Sequence, residues 1–586
     1  MCGIFGYIGS RNIAPDIILD GLKVLEYRGY DSWGIAVQDT SSKKLATEKH
    51  TGKIGSSSAN LPKSSIGIGH TRWATHGGVT VSNAHPHMDC NHKIAVVHNG
   101  IVENYKTLKE ELLARGHTFL SDTDTEVIPH LIEDYRKKYP FAEAVKRAFG
   151  KCHGLSAIVA MDVSEDVIVA AKTGSPLIVG KNKTEVFIAS DASALVDAEF
   201  ALYLRDLEMV VLSDDTITLY SLKTNKPVKP VWEEIKISKQ QDDLGNFSHF
   251  MLKEIFEQPE VLMRSVEDKD EIAKLADLLR KHKKIYFIAA GTAYHAALAG
   301  VYALASVGIS VRLVVASEFG HIMSEIDDKS LVVAFSQSGE TIDVIEPLSA
   351  AQKQGATIAS VVNVKNSTIQ RMSDVSVLLY AGAEKAVAST KAYTSKLGVI
   401  FSLAYELQQK KTITSFVKTI SQEEHRLLDK KSLSRIQKLA RTLKSEPYMF
   451  AIGRGMSYSS ALEAALKIKE VSYAHIEGLP GGELKHGTIA LIQKGTPCIV
   501  FAPRDNTYDS IMSNAMEIKS RGGCIIGISP VNSDIFDYWI EVKDLGIGSI
   551  LAQIIPVQLL AYYLALEKGI TDPDKPRNLA KSVTVK

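Results

Sequence analysis

The feature that most constrains the fold is a strand, a glycine turn and a helix that occur twice in the second half of the chain. The segment Gly291–Leu298 (GTAYHAAL) aligns with Gly455–Leu462 (GMSYSSAL), 164 residues further on, and each follows an apolar strand. Apolar strands such as Val311–Val315 and Leu331–Phe335 alternate with helices, one of which begins at Ile342. Chance similarity is the alternative, but this alternation is typical of βαβ units with a buried parallel sheet. We therefore predict two related, doubly wound parallel-sheet subdomains.

The first part of the chain follows a different pattern. Up to about residue 230, short β-rich runs such as Gly34–Val37, Ile94–Val97 and Ala157–Ala160 alternate with glycine-rich turns, which predicts an α/β layer domain built on antiparallel sheets. The polar segment KISKQQDDLGNFSHF lacks periodicity and indicates a linker. A chain of 586 residues is too long for one core. The predicted boundaries are 1–235 for the first domain, 236–250 for the linker, 251–415 for the first subdomain and 416–586 for the second.

Charge and cysteine content exclude several classes of protein. The chain has 68 Lys and Arg against 67 Asp and Glu, a balance that does not favour binding to nucleic acid. No stretch reaches the roughly 18 uninterrupted apolar residues that a membrane span needs. We expect a soluble, cytoplasmic protein with neither nucleic-acid nor membrane partners. The cysteines show no CxxC spacing, so neither a disulfide framework nor a zinc ribbon is indicated; they are Cys2, Cys90, Cys152, Cys498 and Cys524.

The N-terminal sequence MCGIFG places Cys2 where removal of the initiator methionine would make it the first residue. An N-terminal cysteine combines nucleophile and base, because an α-amino group with a pKa of about 8 is partly unprotonated near neutral pH. The alternative is that Cys2 is a small buried hydrophobic residue. The hexapeptide alone leaves both interpretations open.

The sequence SQSGET, Ser336–Thr341, follows directly on the strand Leu331–Phe335. Hydroxyls and backbone amides at a strand-to-helix turn favour a bound phosphate, and open α/β sheets bind ligands at this edge. A plain helix N-cap is the alternative. The turn has neither a Walker lysine nor a GxGxxG pattern, so a nucleotide is not the expected ligand.

A third group of residues lies on one predicted helix, where Glu463, Lys467 and Glu470 share a face at positions i, i+4 and i+7. The residues alone favour a solvated ion-pair stripe. The functional alternative is a pocket lining that moves protons on a sugar carbon. Nearby, His486 lies in the glycine-bounded sequence GGELKHG.

Together these motifs resemble one family along essentially the whole chain, the isomerising glutamine–fructose-6-phosphate aminotransferases. The motifs are CGI, LEYRGYDS, HTRWATHG, NAHPH, VVHNGIVEN and TDTE in the first half, and SQSGET, VASTKA, ALEAALKIKE, GELKHG and PRNLAKSVTV in the second. The resemblance implies an N-terminal-nucleophile αββα glutaminase domain followed by two sugar-isomerase (SIS) subdomains. It implies synthesis of glucosamine 6-phosphate and glutamate from fructose 6-phosphate and glutamine, the first committed step toward UDP-N-acetylglucosamine, without a cofactor.

For the first half, the resemblance implies that Cys2 attacks the glutamine amide and that Asn99 and the backbone N–H of Gly100 form the oxyanion hole. Arg72 and Asp124 would hold the α-carboxylate and α-amino group of glutamine. The closing loop would include Trp73, Thr75 and His76, and the gate and domain contact would be Arg28, Tyr30 and Trp73. The histidines from position 70 to position 98 suggest a metal as an alternative. We discount it, because the thiol chemistry needs no metal and the family uses none.

For the second half, the resemblance implies that His486 opens the fructose ring and that Lys581 forms a Schiff base with the C2 carbonyl. Glu470 would move the proton between C1 and C2, with Glu463 and Lys467 in support, which reverses the ion-pair-stripe interpretation. The sugar phosphate would be bound by Thr292, Ser336, Gln337, Ser338, Thr341, Val387 and Ser389.

The resemblance also implies a homodimer with shared sugar sites, in which the partner contributes His486. Ammonia would pass between the two sites through a water-poor passage, because in water it is mostly ammonium, and sugar phosphate would bind first. The chain departs from the family at Trp33, at Ala293 where a serine is common, at GLPGGELKHG and at Lys586. Loss of the serine hydroxyl is expected to weaken sugar binding by about 0.5 to 1.5 kcal/mol.

Two other classes of protein are rivals. A phosphoribosyl amidotransferase would share the glutaminase domain, but its second half should carry an acidic loop for a pyrophosphate sugar. A sugar-phosphate-binding regulator could keep the fold, but it would have no reason to retain Cys2, Glu470, His486 and Lys581 together.

Overall fold

The computed structural model describes residues 2–39, 42, 44–213, 216–236, 244–410 and 412–581. The chain forms two compact units that divide between Asp242 and Asp243. Residues 237–243 of the predicted linker lie outside the described residues, as does the part of the tail motif from residue 582 onward. The finer domain boundaries stay predictions.

The first unit consists mainly of short antiparallel strands. Its strands are β1 (Gly3–Gly9), β2 (Ser32–Asp39), β3 (Lys44–Thr51), β4 (Ile66–Arg72), β5 (His87–Met88), β6 (Ile94–Gly100), β7 (Ser156–Asp162), β8 (Ile168–Thr173), β9 (Ile178–Lys181), β10 (Glu185–Ala189), β11 (Phe200–Tyr203), β12 (Glu208–Leu212), β13 (Ile217–Ser221), β14 (Lys226–Val228) and β15 (Glu233–Glu234). Among the described residues they form one eight-stranded sheet, β15-β11-β9-β10-β1-β4-β2-β3, and one seven-stranded sheet, β14-β13-β12-β8-β7-β6-β5.

The two sheets stack face to face with helices outside them. Ile4, Ile68 and Val97 belong to the apolar layer between the sheets. The outer face of the eight-stranded sheet is covered by α1 (Ala14–Leu25). The outer face of the seven-stranded sheet is covered by α2 (Tyr105–Ala114), α3 (Val127–Arg136) and α4 (Phe141–Lys151). The predicted αββα arrangement is confirmed. Trp33, the unusual residue of the RGYDSWG motif, is buried in this unit and stacks on His50.

The second unit contains two parallel sheets of identical topology. The strands are β16 (Lys284–Ala289), β17 (Arg312–Val315), β18 (Ser330–Ser336), β19 (Thr357–Val362), β20 (Val375–Leu378), β21 (Tyr448–Gly453), β22 (His475–Pro480), β23 (Pro497–Phe501), β24 (Cys524–Ser529) and β25 (Tyr538–Glu541). Within the described residues the orders are β17-β16-β18-β19-β20 and β22-β21-β23-β24-β25. In both sheets the second strand along the chain lies at one edge and the first lies beside it, so the predicted repeat is confirmed.

Helices pack on both faces of these sheets. They are α5 (Phe250–Phe256), α6 (Gln258–Arg264), α7 (Lys269–Lys281), α8 (Gly291–Ala305), α9 (Ile342–Lys353), α10 (Thr368–Met372), α11 (Lys391–Leu407), α12 (Ile413–Leu427), α13 (Lys430–Leu443), α14 (Met456–Ser472), α15 (Tyr508–Lys519) and α16 (Ser549–Glu567). The repeated segments open α8 and α14, and α9 begins at the predicted residue.

One helix of the described chain, Gly546–Glu567, is long and apolar enough to cross a membrane, with a mean hydropathy of 1.7. However, 89% of its most apolar window is buried inside the protein. Gln553 accepts a hydrogen bond from Ser457, and Gln558 accepts one from Gln258. This helix is therefore a core helix of the second unit.

Candidate active sites

Cys2 lies immediately before β1, next to the end of the neighbouring strand β4. The backbone N–H of Trp73 donates to the Cys2 sulfur at 3.3 Å. The Cys2 carbonyl oxygen accepts from Arg28 Nε at 3.2 Å and from Asn99 Nδ2 at 3.1 Å. These contacts from three separate chain segments fix the position of the predicted nucleophile.

The orientation of Asn99 is set by His70, which the sequence reasoning did not single out. His70 Nε2 lies 3.0 Å from the His98 carbonyl oxygen and 3.1 Å from Asn99 Oδ1. A carbonyl oxygen only accepts hydrogen bonds, so Nε2 carries the proton and donates it to both oxygens. The amide nitrogen of Asn99 then faces Cys2, as an oxyanion donor must.

Gly100 occupies a backbone conformation that requires glycine. Its φ of +145° lies in a region that L-residues rarely adopt, and a Cβ here would lie 2.3 Å from the Leu155 carbonyl oxygen. The same Cβ would lie 2.7 Å from His98 Nε2. A side chain would therefore shift the end of β6, which carries both predicted oxyanion donors.

The two predicted charged groups for glutamine are buried. Arg72 donates through Nη1 to the Gly78 carbonyl at 3.1 Å and through Nη2 to the His76 carbonyl at 2.5 Å, which ties the predicted closing loop to the site. Burial lowers the pKa of Arg72, and the nearby Asp31 and Asp124 carboxylates oppose this shift, but an arginine remains charged. Asp124 Oδ2 accepts from the Val102 N–H at 2.6 Å.

The other predicted residues of this unit lie around the loop. Trp73 packs edge-on against Tyr30 with ring centroids 5.7 Å apart, and His76 packs in the same way against Tyr105. Thr75 is exposed. Arg28, predicted at the gate, is buried and forms an ion pair with Asp191 at 3.0 Å. In this structure Arg28 therefore holds the Cys2 backbone.

Buried histidines support the oxyanion asparagine. The His70 and His85 rings stack with centroids 4.1 Å apart, and His87 packs edge-on against His85. His98 bonds through its two nitrogens to Thr125 and Ser156. Burial lowers the pKa of His70 to about 3 and also lowers those of His85, His87 and His98, so all four rings are neutral at physiological pH.

These lowered pKa values predict acid sensitivity of the first unit. Below a pH of about 6.5 these histidines bind protons in the unfolded chain but stay neutral in the folded one. The free energy of unfolding therefore falls as the pH falls. For His70 the window runs from about 6.5 down to about 3. Each ring that stays neutral contributes a slope of about 1.4 kcal/mol per pH unit. Denaturant unfolding between about pH 7 and 5, followed by tryptophan fluorescence, measures this slope.

Two variants separate this effect from general acid unfolding. His70→Gln keeps an N–H donor for Asn99 and should reduce the slope, whereas His153→Gln, at an exposed position, should leave it unchanged. Equal slopes in all three proteins would contradict the prediction.

In the second unit, the predicted phosphate loop joins β18 to α9. Ser336 Oγ accepts from the Gly339 N–H at 3.0 Å and lies 3.2 Å from Thr341 Oγ1. Ser338 Oγ accepts from the Glu340 N–H at 3.1 Å. The loop lies at the carboxyl edge where strand order reverses, between β16 and β18, which is the usual ligand position in such sheets.

The helix α8, which follows β16, meets α14 through polar side chains. Glu463 accepts from Thr292 Oγ1 at 3.0 Å and lies 2.7 Å from His295 Nδ1. Lys467 Nζ lies 3.5 Å from Glu463 and 2.5 Å from Glu470. Burial acts to lower the pKa of Lys467, but the charges of Glu470 and Glu463 outweigh it and raise that pKa.

Side-chain exposure decides between the two interpretations of this helix face. Lys467 and Glu463 are 0% exposed, and Glu470 is 19% exposed. A solvated ion-pair stripe is therefore wrong. Ala293, the departure beside Thr292, is buried in the core of the same subdomain.

Lys581 reaches the same region from the C-terminal tail. Its Nζ donates to Glu384 at 2.6 Å and to the Ala386 carbonyl at 2.7 Å. Ser389 and the Thr390 N–H also donate to Glu384. Burial acts to raise the pKa of Glu384, but Lys581 and the hydrogen bonds lower it to about 2. The predicted Schiff-base lysine is thus held by a carboxylate that the sequence reasoning missed.

The tail itself is tied down before it reaches Lys581. Asp574 accepts from the N–H groups of Phe250 and Met251, both at 2.7 Å. The Arg577 N–H donates to the Tyr473 hydroxyl at 2.8 Å. The Val387 N–H donates to the Asp574 carbonyl, which links the tail to the predicted sugar-binding segment.

Two further lysine and carboxylate groups adjoin this region. Lys396 is fully buried, and this burial lowers its pKa to about 8. The charges of Glu384 and Glu463 act to raise that pKa, and the charge of Lys581 acts to lower it. Burial and the charge of Glu384 raise the pKa of Glu254 to about 8. His486, by contrast, is exposed and takes no part in this hydrogen-bonded group within the described residues.

Comparison with known proteins identifies both units. Residues 70–197 match the model of a glutamine amidotransferase domain, and residues 278–405 and 442–567 each match that of the SIS domain. Glutamine–fructose-6-phosphate aminotransferases [isomerizing] of Thermococcus kodakarensis and Pyrococcus horikoshii are 42% and 43% identical over the full length of both chains. The solved C-terminal domain of glucosamine-fructose-6-phosphate aminotransferase from Francisella tularensis is 33% identical, with a TM-score of 0.51, and covers 56% of this chain and 98% of its own.

Proposed function

Because this chain belongs to the family of isomerising glutamine–fructose-6-phosphate aminotransferases, we propose which of its side chains carry out the two half-reactions. The enzyme converts fructose 6-phosphate and glutamine into glucosamine 6-phosphate and glutamate. The SIS matches also exclude the rival phosphoribosyl class, whose second half would differ. The proposal concerns the residues that act, the route of ammonia and the assembly.

In the glutaminase half, Cys2 is the nucleophile. After removal of the initiator methionine, its α-amino group takes the thiol proton and the sulfur attacks the glutamine amide carbon. Asn99 and the Gly100 N–H stabilise the oxyanion, with His70 as the positioning residue of Asn99. The amine returns its proton to the leaving ammonia, and water then releases glutamate from the thioester. Arg72 and Asp124 bind the α-carboxylate and α-amino group, and Trp73, Thr75 and His76 close over them.

In the isomerase half, the Ser336–Thr341 loop binds the phosphate of fructose 6-phosphate, with support from Thr292, Val387 and Ser389. His486 of a partner subunit opens the ring. The Lys581 amine condenses with the C2 carbonyl and water leaves, which gives a Schiff base. Ammonia then adds at C2 and releases the Lys581 amine, and Glu470 carries the proton from C1 to C2. The observation that carries this assignment is the burial of Lys467 between Glu463 and Glu470. Lys467 is also within electrostatic range of Glu384, the partner of Lys581.

The Lys581–Glu384 pair defines the resting state of this half. A Schiff base needs a neutral amine, so the ammonium must lose a proton before it attacks. The arriving substrate must therefore displace Lys581 from Glu384, a carboxylate with a pKa of about 2 that does not itself take up the proton near neutral pH. Lys396, with its pKa of about 8, is mostly charged near neutral pH, and only a minor fraction is neutral.

We further propose that the enzyme is a cytoplasmic homodimer and that ammonia moves between the sites without mixing with solvent. Arg28, Tyr30 and Trp73 belong to the segments that gate this transfer. Sugar phosphate binds first, and glutamine is hydrolysed rapidly only afterwards.

Isotope labelling tests the transfer. The purified enzyme is supplied with fructose 6-phosphate, glutamine labelled with ¹⁵N in its side-chain amide, and a large excess of unlabelled ammonium. Mass spectrometry should find the ¹⁵N label in most of the glucosamine 6-phosphate. Product labelled in proportion to the mixed ammonia pool would contradict a protected route.

A further inference from the structure

A cluster of metal-ligating side chains lies in the first unit, apart from the glutaminase residues. Cys90 lies in the turn between β5 and β6, and His117 follows α2. His130 and Glu133 lie three residues apart on α3, on one face of the helix. One sulfur, two ring nitrogens and one carboxylate oxygen from these four residues lie within 4.8 Å of one another.

The distances between these atoms match the edges of a tetrahedron around zinc. Cys90 Sγ lies 3.5 Å from Nδ1 of both His117 and His130, and the two Nδ1 atoms lie 3.3 Å apart. Glu133 Oε2 lies 3.1 Å from the first of these nitrogens and 3.6 Å from the second. Normal zinc bond lengths give edges of about 3.3 Å between nitrogens and about 3.6 Å between sulfur and nitrogen.

The opposite nitrogens of both rings face carboxylates. His117 Nε2 lies within hydrogen-bond distance of Asp134 Oδ1, at 3.0 Å. His130 Nε2 lies 3.8 Å from Glu126 Oε1, beyond hydrogen-bond distance, so only electrostatic attraction acts between them. In metal sites the ligating histidine typically points its other N–H at a carboxylate. If both Nε2 atoms carry protons, neutral rings direct two bare Nδ1 lone pairs at each other and at the Glu133 carboxylate. One divalent cation at the centre of the cluster would satisfy all of these acceptors at once.

We propose that Cys90, His117, His130 and Glu133 bind one zinc ion. Four protein ligands close the coordination sphere, which is typical of structural sites. A thiolate with two imidazoles favours zinc over magnesium or calcium. The histidine side chains are 4% and 1% exposed, whereas Cys90 is exposed, so the ion can enter from that side. From the sequence we expected no metal in this protein, so the proposed site departs from that expectation. None of its four ligands is among the residues proposed for the glutaminase reaction, so that mechanism is unchanged.

Cobalt substitution tests the site in the full-length enzyme. The protein is stripped with a chelator, and Co²⁺ is added. The spectrum should show tetrahedral d–d bands and a thiolate-to-cobalt band at about one equivalent per chain. Added Zn²⁺ should abolish these bands, and metal analysis should find about one zinc per chain after dialysis. Failure of the native protein to retain stoichiometric zinc or to produce these bands would overturn the proposal.

Matched variants locate the metal. Cys90→Ser should remove the thiolate band, and His117→Gln should weaken Zn²⁺ binding at least about tenfold. Cys2→Ala and Cys152→Ser should bind like the native protein. Zn²⁺ should raise the unfolding temperature of the native protein but not that of Cys90→Ser. A band that survives in Cys90→Ser, or that disappears in Cys2→Ala, would assign the metal elsewhere, and protonated histidines paired with Glu133 would then explain the cluster.

Discussion

Replacement of Cys2 by alanine is expected to lower glutamine-dependent formation of glucosamine 6-phosphate by at least about 10³-fold. The substitution removes the only atom proposed to attack the amide, while the backbone contacts of residue 2 with Arg28 and Asn99 stay available. The assay is glucosamine 6-phosphate release from saturating fructose 6-phosphate and glutamine.

The isomerase half provides the internal control for this variant. Interconversion of fructose and glucose 6-phosphates by Cys2→Ala should stay within about twofold of the native rate, because no residue proposed for that step changes. Cys152 is a cysteine of the same unit that lies outside the proposed site, so the Cys152→Ser variant should retain both activities. Normal glutamine-dependent synthesis by Cys2→Ala would refute the nucleophile assignment, and loss of both activities would indicate damage to the fold.

The second large effect is expected at Lys581. Lys581→Arg keeps a positive charge beside Glu384, so the buried carboxylate stays paired, but a guanidinium does not form a Schiff base near neutral pH. Synthesis should fall at least about 10³-fold. Lys581→Ala would additionally leave Glu384 without its partner ion, which costs about 3 to 5 kcal/mol for a buried pair.

Chemical trapping distinguishes a covalent role from a structural one. Borohydride reduces the Schiff base with fructose 6-phosphate to a stable amine, and mass spectrometry of the digest should find the sugar on Lys581. Lys581→Arg should give no adduct, whereas Lys575→Arg, in the same tail, should be trapped like the native enzyme. An adduct on a different lysine of the native protein would contradict the assignment.

The alternation of strands and helices could be predicted because each element is determined by nearby residues. The strand preceding Ser336 and the helix beginning at Ile342 are examples, and both occur as predicted. The parallel sheets followed from the alternation of apolar strands with helices, which is typical of βαβ units. Local patterns of this kind specify where the proposed phosphate loop and the helix that carries Glu463 lie along the chain.

The partners of the site residues could not be predicted in the same way. Glu384 and Lys581 are 197 residues apart, and His70 and Asn99 meet only because their strands lie in facing sheets. The Glu463 face was ambiguous for a related reason, since identical spacing suits an exposed helix and a buried one. Its burial depends on α8 and α16, which pack against it from other parts of the chain.

The two sheets have identical strand orders, and each of these duplicated halves contributes different residues to the proposed sugar site. The first copy contributes the loop proposed for the C6 phosphate, and α14 of the second contributes the groups proposed to act at C1 and C2. Thr292 of α8 donates to Glu463 of α14, so the two copies contact each other directly at this point. A substitution that separates α8 from α14 should therefore shift the groups proposed for the two ends of the sugar relative to each other.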